Sequence, residues 1–177
     1  MSTRSAVARP EGDSWKGRYV HSDGYPTWQL RQLRELIARD GVETVLKTIV
    51  DDNYGWSYLK PDESGPLSAG HTDGRFKVVP GYGVAYTDTK ISGMPGQDGQ
   101  PYQQSTADDW ITPDGDDSGT EWAYILYPTN VTVLIPNRGE DYSRTGGWEV
   151  VGTYAYTDLT DEKLQAIEND AYENETE

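Results

Sequence analysis

The chain has 177 residues, enough to bury the core of one domain, and it carries a formal net charge of −15, no cysteine and two histidines. The lack of cysteine excludes disulfides, thiolate metal sites and a cysteine nucleophile, and two histidines cannot form a multi-histidine metal site. No stretch approaches the roughly 20 apolar residues of a membrane helix, and the start lacks a signal-peptide core. We therefore expect a single soluble domain over residues 1–177, cytoplasmic, without a cofactor, a metal or a membrane partner.

The negative charge is unevenly distributed. Residues 1–50 carry eight basic and six acidic side chains, a net charge of +2, whereas residues 51–177 carry seven and twenty-four, a net charge of −17. Such a surface repels nucleic-acid phosphates and attracts a basic partner, including a protein site that normally holds DNA. The alternative interpretation is that the charge serves only solubility.

The N-terminal residues predict a β-hairpin. Two segments of alternating apolar and polar residues flank the turn-forming cluster Glu11–Ser14. With those four residues as the loop, Pro10 faces Trp15, and the same register puts Arg4 opposite His21. A slip of one residue would move Arg4 to the other face of the hairpin.

A polar turn follows the second strand. His21 and Asp23 are two residues apart and therefore tend to share one face of a strand. Gly24 and Pro26 then force a change of direction, and Thr27 is expected to act as the N-cap of a helix.

Arg4, Tyr19, His21, Asp23 and Tyr25 form the predicted site, and three interpretations stay open. The first is architectural, with Asp23 accepting turn amides, Arg4 pairing with it and His21 holding the helix start. In the second, the five residues line a recess for an anion or a planar ring, such as a nucleotide-like signal. In the third, His21 and Asp23 are the base and its orienting group in a hydrolase, although no nucleophile elbow or phosphate loop accompanies them. We assign no catalytic residue.

Two consecutive helices are predicted after the turn. Apolar residues recur at helical spacing from Leu30 to Ile37 and again from Val42 to Val50, and Gly41 between them suits a helix C-terminus. The helices are expected to pack on one face of an antiparallel sheet of five or six strands, which gives an α+β fold.

Residues 51–78 and 88–118 are rich in turn-forming and polar residues and predict irregular excursions from the sheet. His71 lies in the first without a second ligand at metal-binding spacing. Asp114–Gly119 in the second matches the head of a calcium loop, but Ile125 occupies the place of its bidentate glutamate, which favours an ordinary acidic turn.

The remaining elements are strands and a last helix. Strands are predicted at 78–87, with an interruption at Pro80 and Gly83, at 121–127 and 131–135, which form a hairpin, and at 148–157. Thr160 is the expected N-cap of a C-terminal acidic helix with Leu164, Ile167 and Ala171 on one stripe. Residues 172–177 are expected to form an acidic tail.

Two N-terminal motifs resemble those of a known family. The chain carries Thr3-Arg-Ser5 and Tyr19-Val-His-Ser-Asp-Gly-Tyr-Pro26, and later Gly83-Val-Ala-Tyr86 and Glu121-Trp-Ala-Tyr-Ile-Leu-Tyr127. These resemble a family of small uncharacterised proteins encoded by bacteriophages, prophages and some bacteria, which open with Thr-Arg-Ser and carry a Tyr-x-His-x-Asp-Gly-Tyr-Pro segment before a helix. Thr87-Asp-Thr-Lys90 departs from the family's Arg-Asp-Arg-Gly-Glu stretch. The resemblance implies a phage-type accessory protein and no particular chemistry.

Taken together, the charge and the resemblance favour a non-enzymatic protein that binds and inhibits a host or defence protein with a basic surface, through an acidic, DNA-mimicking surface. One alternative is a module that sequesters a nucleotide-like small molecule through Arg4, His21 and Tyr25. The other is the hydrolase that uses His21 and Asp23, and it is the least favoured of the three.

Overall fold

A computed structural model describes residues 3–67, 74–87, 91–95, 101–102, 106–115, 119–138 and 144–175. His71 and residues 116–118 of the calcium-loop-like motif lie outside the described residues. The strands are β1 Ser5–Glu11, β2 Ser14–Val20, β3 Trp56–Leu59, β4 Phe76–Val79, β5 Gly83–Tyr86, β6 Ile91–Pro95, β7 Pro101–Tyr102, β8 Trp122–Leu126, β9 Asn130–Arg138 and β10 Arg144–Ala155. The helices are α1 Pro26–Asp40, α2 Val42–Leu46, continued by a π-helical turn over Lys47–Asp51, and α3 Asp161–Glu175, preceded by a 3-10 turn over Tyr156–Asp158.

Eight of the described strands form one sheet in the order β10-β9-β8-β1-β2-β3-β5-β4, and β6 and β7 pair separately. The α+β class and the C-terminal helix are confirmed. The expectation of an antiparallel sheet with five or six strands is wrong, because β1 runs parallel to β8 and β2 runs parallel to β3. Parallel neighbours need a crossover of a dozen or more residues, and α1 and α2 provide that crossover between β2 and β3.

The predicted register of the first hairpin is confirmed. Pro10 pairs with Trp15, and the antiparallel ladder continues to Ser5 opposite Val20. The loop is two residues shorter than expected because the strands extend by one more pair. It begins at Gly12, whose φ of 58° lies in the left-handed region that glycine adopts without strain.

The helices cover one face of the sheet. Leu30, Leu33 and Leu36 of α1 are fully buried, as their spacing predicts. They pack in a cluster that includes side chains of α2, α3 and the facing strands around the buried ring of Trp56, whose indole N–H donates to the Ile49 carbonyl at 3.0 Å. A smaller cluster occupies the other face: Ala6, Ala8, Trp15, Ile111, Ala123, Ile125 and Leu134. In the described part of the chain, no helix has the length and apolar character needed to cross a membrane.

The first helix begins differently from the prediction. It starts at Pro26, a favoured first position because proline lacks the amide hydrogen that a helix start leaves unpaired. The expected N-cap, Thr27, is therefore already inside the helix, and Tyr25 occupies the cap position without a side-chain hydrogen bond. Glu168 of α3 instead accepts from the Thr27 amide at 3.3 Å and from its hydroxyl at 3.1 Å. Thr160 does cap α3, as predicted: its hydroxyl oxygen accepts from the third amide of that helix at 3.2 Å.

Two other segments are more regular than the sequence indicates. The predicted excursion 51–78 contains β3 and the start of β4, and the excursion 88–118 contains β6 and β7. The C-terminal helix extends to Glu175, into the region expected to be an acidic tail. The ring of Tyr172 packs edge-to-face on Trp122, with the ring centres 6.1 Å apart, and this contact helps to keep that last turn helical.

Candidate functional site

The start of β1 and the end of β2 meet at one end of the sheet. The hairpin register brings Arg4 opposite His21, one step beyond the last pair, and Tyr19 lies two residues before His21 on the same face. This is the face opposite the helices. Both backbones are fixed by neighbouring strands: the Glu121 amide donates to the Arg4 carbonyl at 2.9 Å, and the His21 amide donates to the Trp56 carbonyl at 2.9 Å.

The side chains of Arg4, Tyr19 and His21 form a group that we call the Arg4–His21 site. The Tyr19 hydroxyl lies 2.6 Å from Nδ1 of the partly buried His21 ring. Burial and, after it, the Arg4 guanidinium lower the pKa of His21 below its usual value of 6.5. The imidazole is therefore neutral at pH 7 and stands beside a permanent cation. A side chain at Gly119 would interfere, because an added Cβ would lie 2.8 Å from a guanidinium nitrogen of Arg4.

Asp23 and Tyr25 lie in the segment between β2 and α1. Asp23 is exposed, and its φ of 56° differs from that of a strand residue. The expectation that Asp23 and His21 share one face assumed a regular strand, so it does not apply at Asp23. Burial raises the pKa of Tyr25, and the carboxylates of Asp23 and Glu168 raise it further. Among the described side chains, no ion pair joins Asp23 to Arg4. The structure thus divides the five predicted residues into the Arg4–His21 site and a separate pair, Asp23 and Tyr25.

The turn that carries Asp23 is tightly anchored. The Gly24 amide donates to the Thr3 carbonyl at 2.8 Å, and the Gly24 carbonyl accepts from the hydroxyl of the buried Tyr124 at 2.6 Å. A Cβ at Gly24 would lie 2.6 Å from the side chain of Ser5, so the turn can approach β1 this closely only with glycine at this position. The Asp-Gly-Tyr-Pro motif therefore has a clear architectural role.

The sequence interpretation missed Arg18, which is only 1% exposed. It lies where β2 and β3 separate, because their ladder contains a single pair, Val20 with Trp56. Three residues before Val20, on the edge of β2 that faces away from β1, Gly17 pairs with Ile111 through two backbone hydrogen bonds. The signal was present in the alternation, since Arg18 falls on the same face of β2 as the buried Val20.

Arg18 is held by carbonyl groups. Its Nε donates to the Val50 carbonyl at 2.8 Å, and one terminal nitrogen donates to the carbonyls of Ala107 and Asp109 at 3.2 and 3.0 Å. The guanidinium also stacks on Trp110, 3.3 Å from the ring centre. Burial lowers its pKa to about 10, so the group stays charged at neutral pH. Arg18 thereby ties residues 107–110 to the helix side of the sheet.

The outer face of α3 is strongly acidic. Leu164, Ile167 and Ala171 are buried, and the opposite face carries one basic residue, Lys163. Two arginines of α1, Arg31 and Arg34, contact the first carboxylate of α3 at 3.7 and 3.3 Å. The exposed acidic residues of the helix are Asp161, Glu162, Asp170 and Glu173. Tyr172, which is 49% exposed, lies at the end of this row.

Described residues also line two recesses. A recess of about 430 Å³ beside α2 is lined by Arg9, Glu43, Thr44, Lys47, Asp51 and Asp52. Four of its five charged side chains are paired internally, with Arg9 bidentate on Asp51 at 2.6 and 3.0 Å and Lys47 on Asp52 at 2.6 Å. A smaller recess of about 100 Å³ is lined by Thr3, Glu121, Trp122, Arg138 and Tyr172. Within the described ranges, no three His, Asp or Glu side chains are grouped so as to hold a metal ion.

No protein-family model, curated protein or solved structure matches the chain. The described residues offer two surfaces with distinct chemistry: the acidic face of α3 and the Arg4–His21 site. The first can attract a basic partner, and the second can hold an anion. Among the described side chains, the hydrogen-bond partner of the His21 ring is the Tyr19 hydroxyl.

Proposed function

We propose that the protein is a non-enzymatic accessory protein of phage type that binds and inhibits a host or defence protein by covering a basic surface of that protein. The observation that carries the proposal is the one-sided charge of α3, the acidic face just described. A partner site that normally holds DNA would be recognised by the same charges, so the protein would act as a DNA mimic.

The geometry of α3 suits this role. At about 1.5 Å per residue, Glu162 and Glu173 lie about 16 Å apart along the helix axis and within one exposed face. Asp170 lies between them on the flank of that face. One strand of duplex DNA carries a phosphate about every 3.4 Å of its axis, so the row extends over the length of several phosphates at a lower charge density.

The backbone of α3 is also held in place, which favours binding because little backbone freedom is lost on association. Leu164 and Ile167 fix it to the core, and Glu168 ties it to the start of α1. Tyr172 is exposed but is supported from behind by Trp122. Tyrosine is enriched at the energetic centres of protein interfaces, so Tyr172 can serve as an anchor beside the carboxylates.

Affinity capture from host lysate tests the proposal. We expect the wild-type protein to retain a partner at low salt and to release it at about 0.5 M NaCl, because salt screens exposed charges. The double variant Glu162→Lys/Asp170→Lys should retain at least about tenfold less of that partner. The matched control Asp13→Lys/Asp62→Lys makes the same charge change at two exposed acidic residues outside α3 and should retain it fully.

Addition of duplex DNA separates mimicry from other acidic binding. If the partner surface is a DNA site, DNA should displace the captured partner from the wild-type protein. Capture that withstands DNA would reject mimicry but not inhibition through an acidic face. Absence of any salt-sensitive partner, or equal capture by the α3 variant and its control, would contradict the proposal.

A further inference from the structure

A second surface lies on the opposite face of the sheet and does not depend on the partner proposed for α3. We propose that the Arg4–His21 site binds a phosphate dianion, either inorganic phosphate or the terminal phosphate of a small phosphomonoester. Arg4 would supply the charge and a forked pair of donors, His21 a single donor, and Tyr19 would fix the orientation of the His21 ring.

Arg4 supplies the cation of the site. The antiparallel register and the hydrogen bond to Glu121 fix the backbone of Arg4 at the end of the sheet. Its side chain is exposed and lies against Gly119. Guanidinium groups bind phosphate through two parallel N–H donors, and such charge-assisted bonds are about twice as strong as neutral ones. An exposed arginine held at its backbone therefore meets the main requirement for phosphate recognition.

His21 can supply a neutral hydrogen-bond donor. With the Tyr19 hydroxyl 2.6 Å from Nδ1, the hydroxyl can donate to that nitrogen, and the ring proton then resides on Nε2. A neutral imidazole in this tautomer presents one N–H donor on the side away from Tyr19. Arg4 and His21 would therefore contribute donors to the same anion, although only Arg4 is charged at pH 7.

Two described acidic residues have backbones that adjoin the site. Asp23 follows His21 by two residues, and the amide of Glu121, in the segment before β8, donates to the Arg4 carbonyl at 2.9 Å. Neither forms an ion pair with Arg4, as judged from all ion pairs between described residues. Asp23 acts instead on Tyr25, whose pKa it helps to raise. In the described part of the chain, Arg4 therefore has no ion-pair partner that would compete with an external anion.

Binding should be linked to protonation of His21. A bound dianion opposes the effect of Arg4 on the imidazole and favours its charged form. The pKa of His21 should therefore rise when phosphate binds.

NMR titration of the histidine side chains tests the site, with inorganic phosphate and adenosine 5′-monophosphate as probes. His71→Gln identifies the His21 signals, since these are the two histidines of the chain. We expect a saturable shift of the His21 signals at millimolar phosphate and an increase in its pKa. Arg4→Gln should weaken the binding by at least about tenfold, whereas the control Arg75→Gln should leave it unchanged.

Further variants keep each outcome interpretable. Tyr19→Phe should weaken phosphate binding without abolishing it, because Arg4 remains. Glu162→Lys/Asp170→Lys should leave the titration unchanged, so that failure of the α3 proposal and failure of this site are distinguishable. Tighter binding of the nucleotide than of phosphate would identify a phosphomonoester as the ligand. No saturable shift, or the same shift in Arg4→Gln with an unchanged melting temperature, would overturn the proposal.

Discussion

Replacement of Arg18 with methionine should lower the free energy of unfolding by about 2–4 kcal/mol. The substitution removes three hydrogen bonds from a charged donor, each worth about 1.5–3 kcal/mol. It also removes the stacking on Trp110, worth about 1 kcal/mol. The accepting carbonyl of the buried Val50 cannot recover its bond from water, whereas Ala107 and Asp109 lie in an exposed segment and can be hydrated.

Two effects of the methionine side chain make the expected loss of stability smaller. A methionine side chain fills part of the same volume, and its burial does not carry the desolvation penalty that lowers the pKa of Arg18 to about 10. The net value is therefore well below the sum of the three hydrogen bonds. Arg18→Lys should recover less than half of the loss, because one ammonium group cannot reproduce the geometry of a fork.

Urea denaturation followed by circular dichroism measures these differences. Lys16→Met is the matched control, since Lys16 also contacts the ring of Trp110, at 4.3 Å, but lies at the surface, and its loss should cost less than about 1 kcal/mol. An Arg18→Met protein that is as stable as the wild type, or more stable, would refute the view that Arg18 ties residues 107–110 to the sheet.

Three further predictions concern the turn and its neighbours. Gly24→Ala puts a methyl group 2.6 Å from the Ser5 side chain and should cost about 1–3 kcal/mol in urea denaturation; no loss would show that the turn can shift. Arg4→Gln should raise the pKa of His21 toward 6.5 in an NMR titration without phosphate, because it removes the adjacent cation; an unchanged pKa would contradict the proximity of the two groups. Glu168→Gln should lower stability by roughly 1 kcal/mol through weaker capping of α1, and equal melting temperatures would argue against that role.

The first hairpin and the helices could be predicted because their signals are local. The register from Pro10 to Ser5 follows from alternation and turn chemistry within a few residues, and the buried leucines of α1 follow from a 3.6-residue period. The parallel pairing of β1 with β8 could not be predicted, since it joins residues more than 100 positions apart, such as Ser5 and Trp122. No sequence period specifies which distant strand becomes a neighbour.

The site was predicted in part for the same reason. Arg4 and His21 are adjacent because the hairpin register fixes them, and that register is a local property. Asp23 leaves the group because its backbone turns left-handed, which aspartate tolerates better than most residues. Arg18 was missed because it was interpreted as one of the polar residues that alternate with apolar residues along a half-buried strand, although it lies on the buried face. An arginine between buried apolar positions needs partners in the interior, and that requirement was the available signal.

The turn between β2 and α1 connects the two proposed binding surfaces, and its rigidity implies that they act independently. On one side the turn is fixed to β1 and to Tyr124 through the two hydrogen bonds of Gly24. On the other side, Glu168 joins the start of α1 to α3. Coupling between two sites requires an element with two alternative arrangements that both ligands bias. Both the amide and the carbonyl of Gly24 are hydrogen-bonded, and there is no room for a Cβ at this residue. We therefore expect the turn to keep a single arrangement.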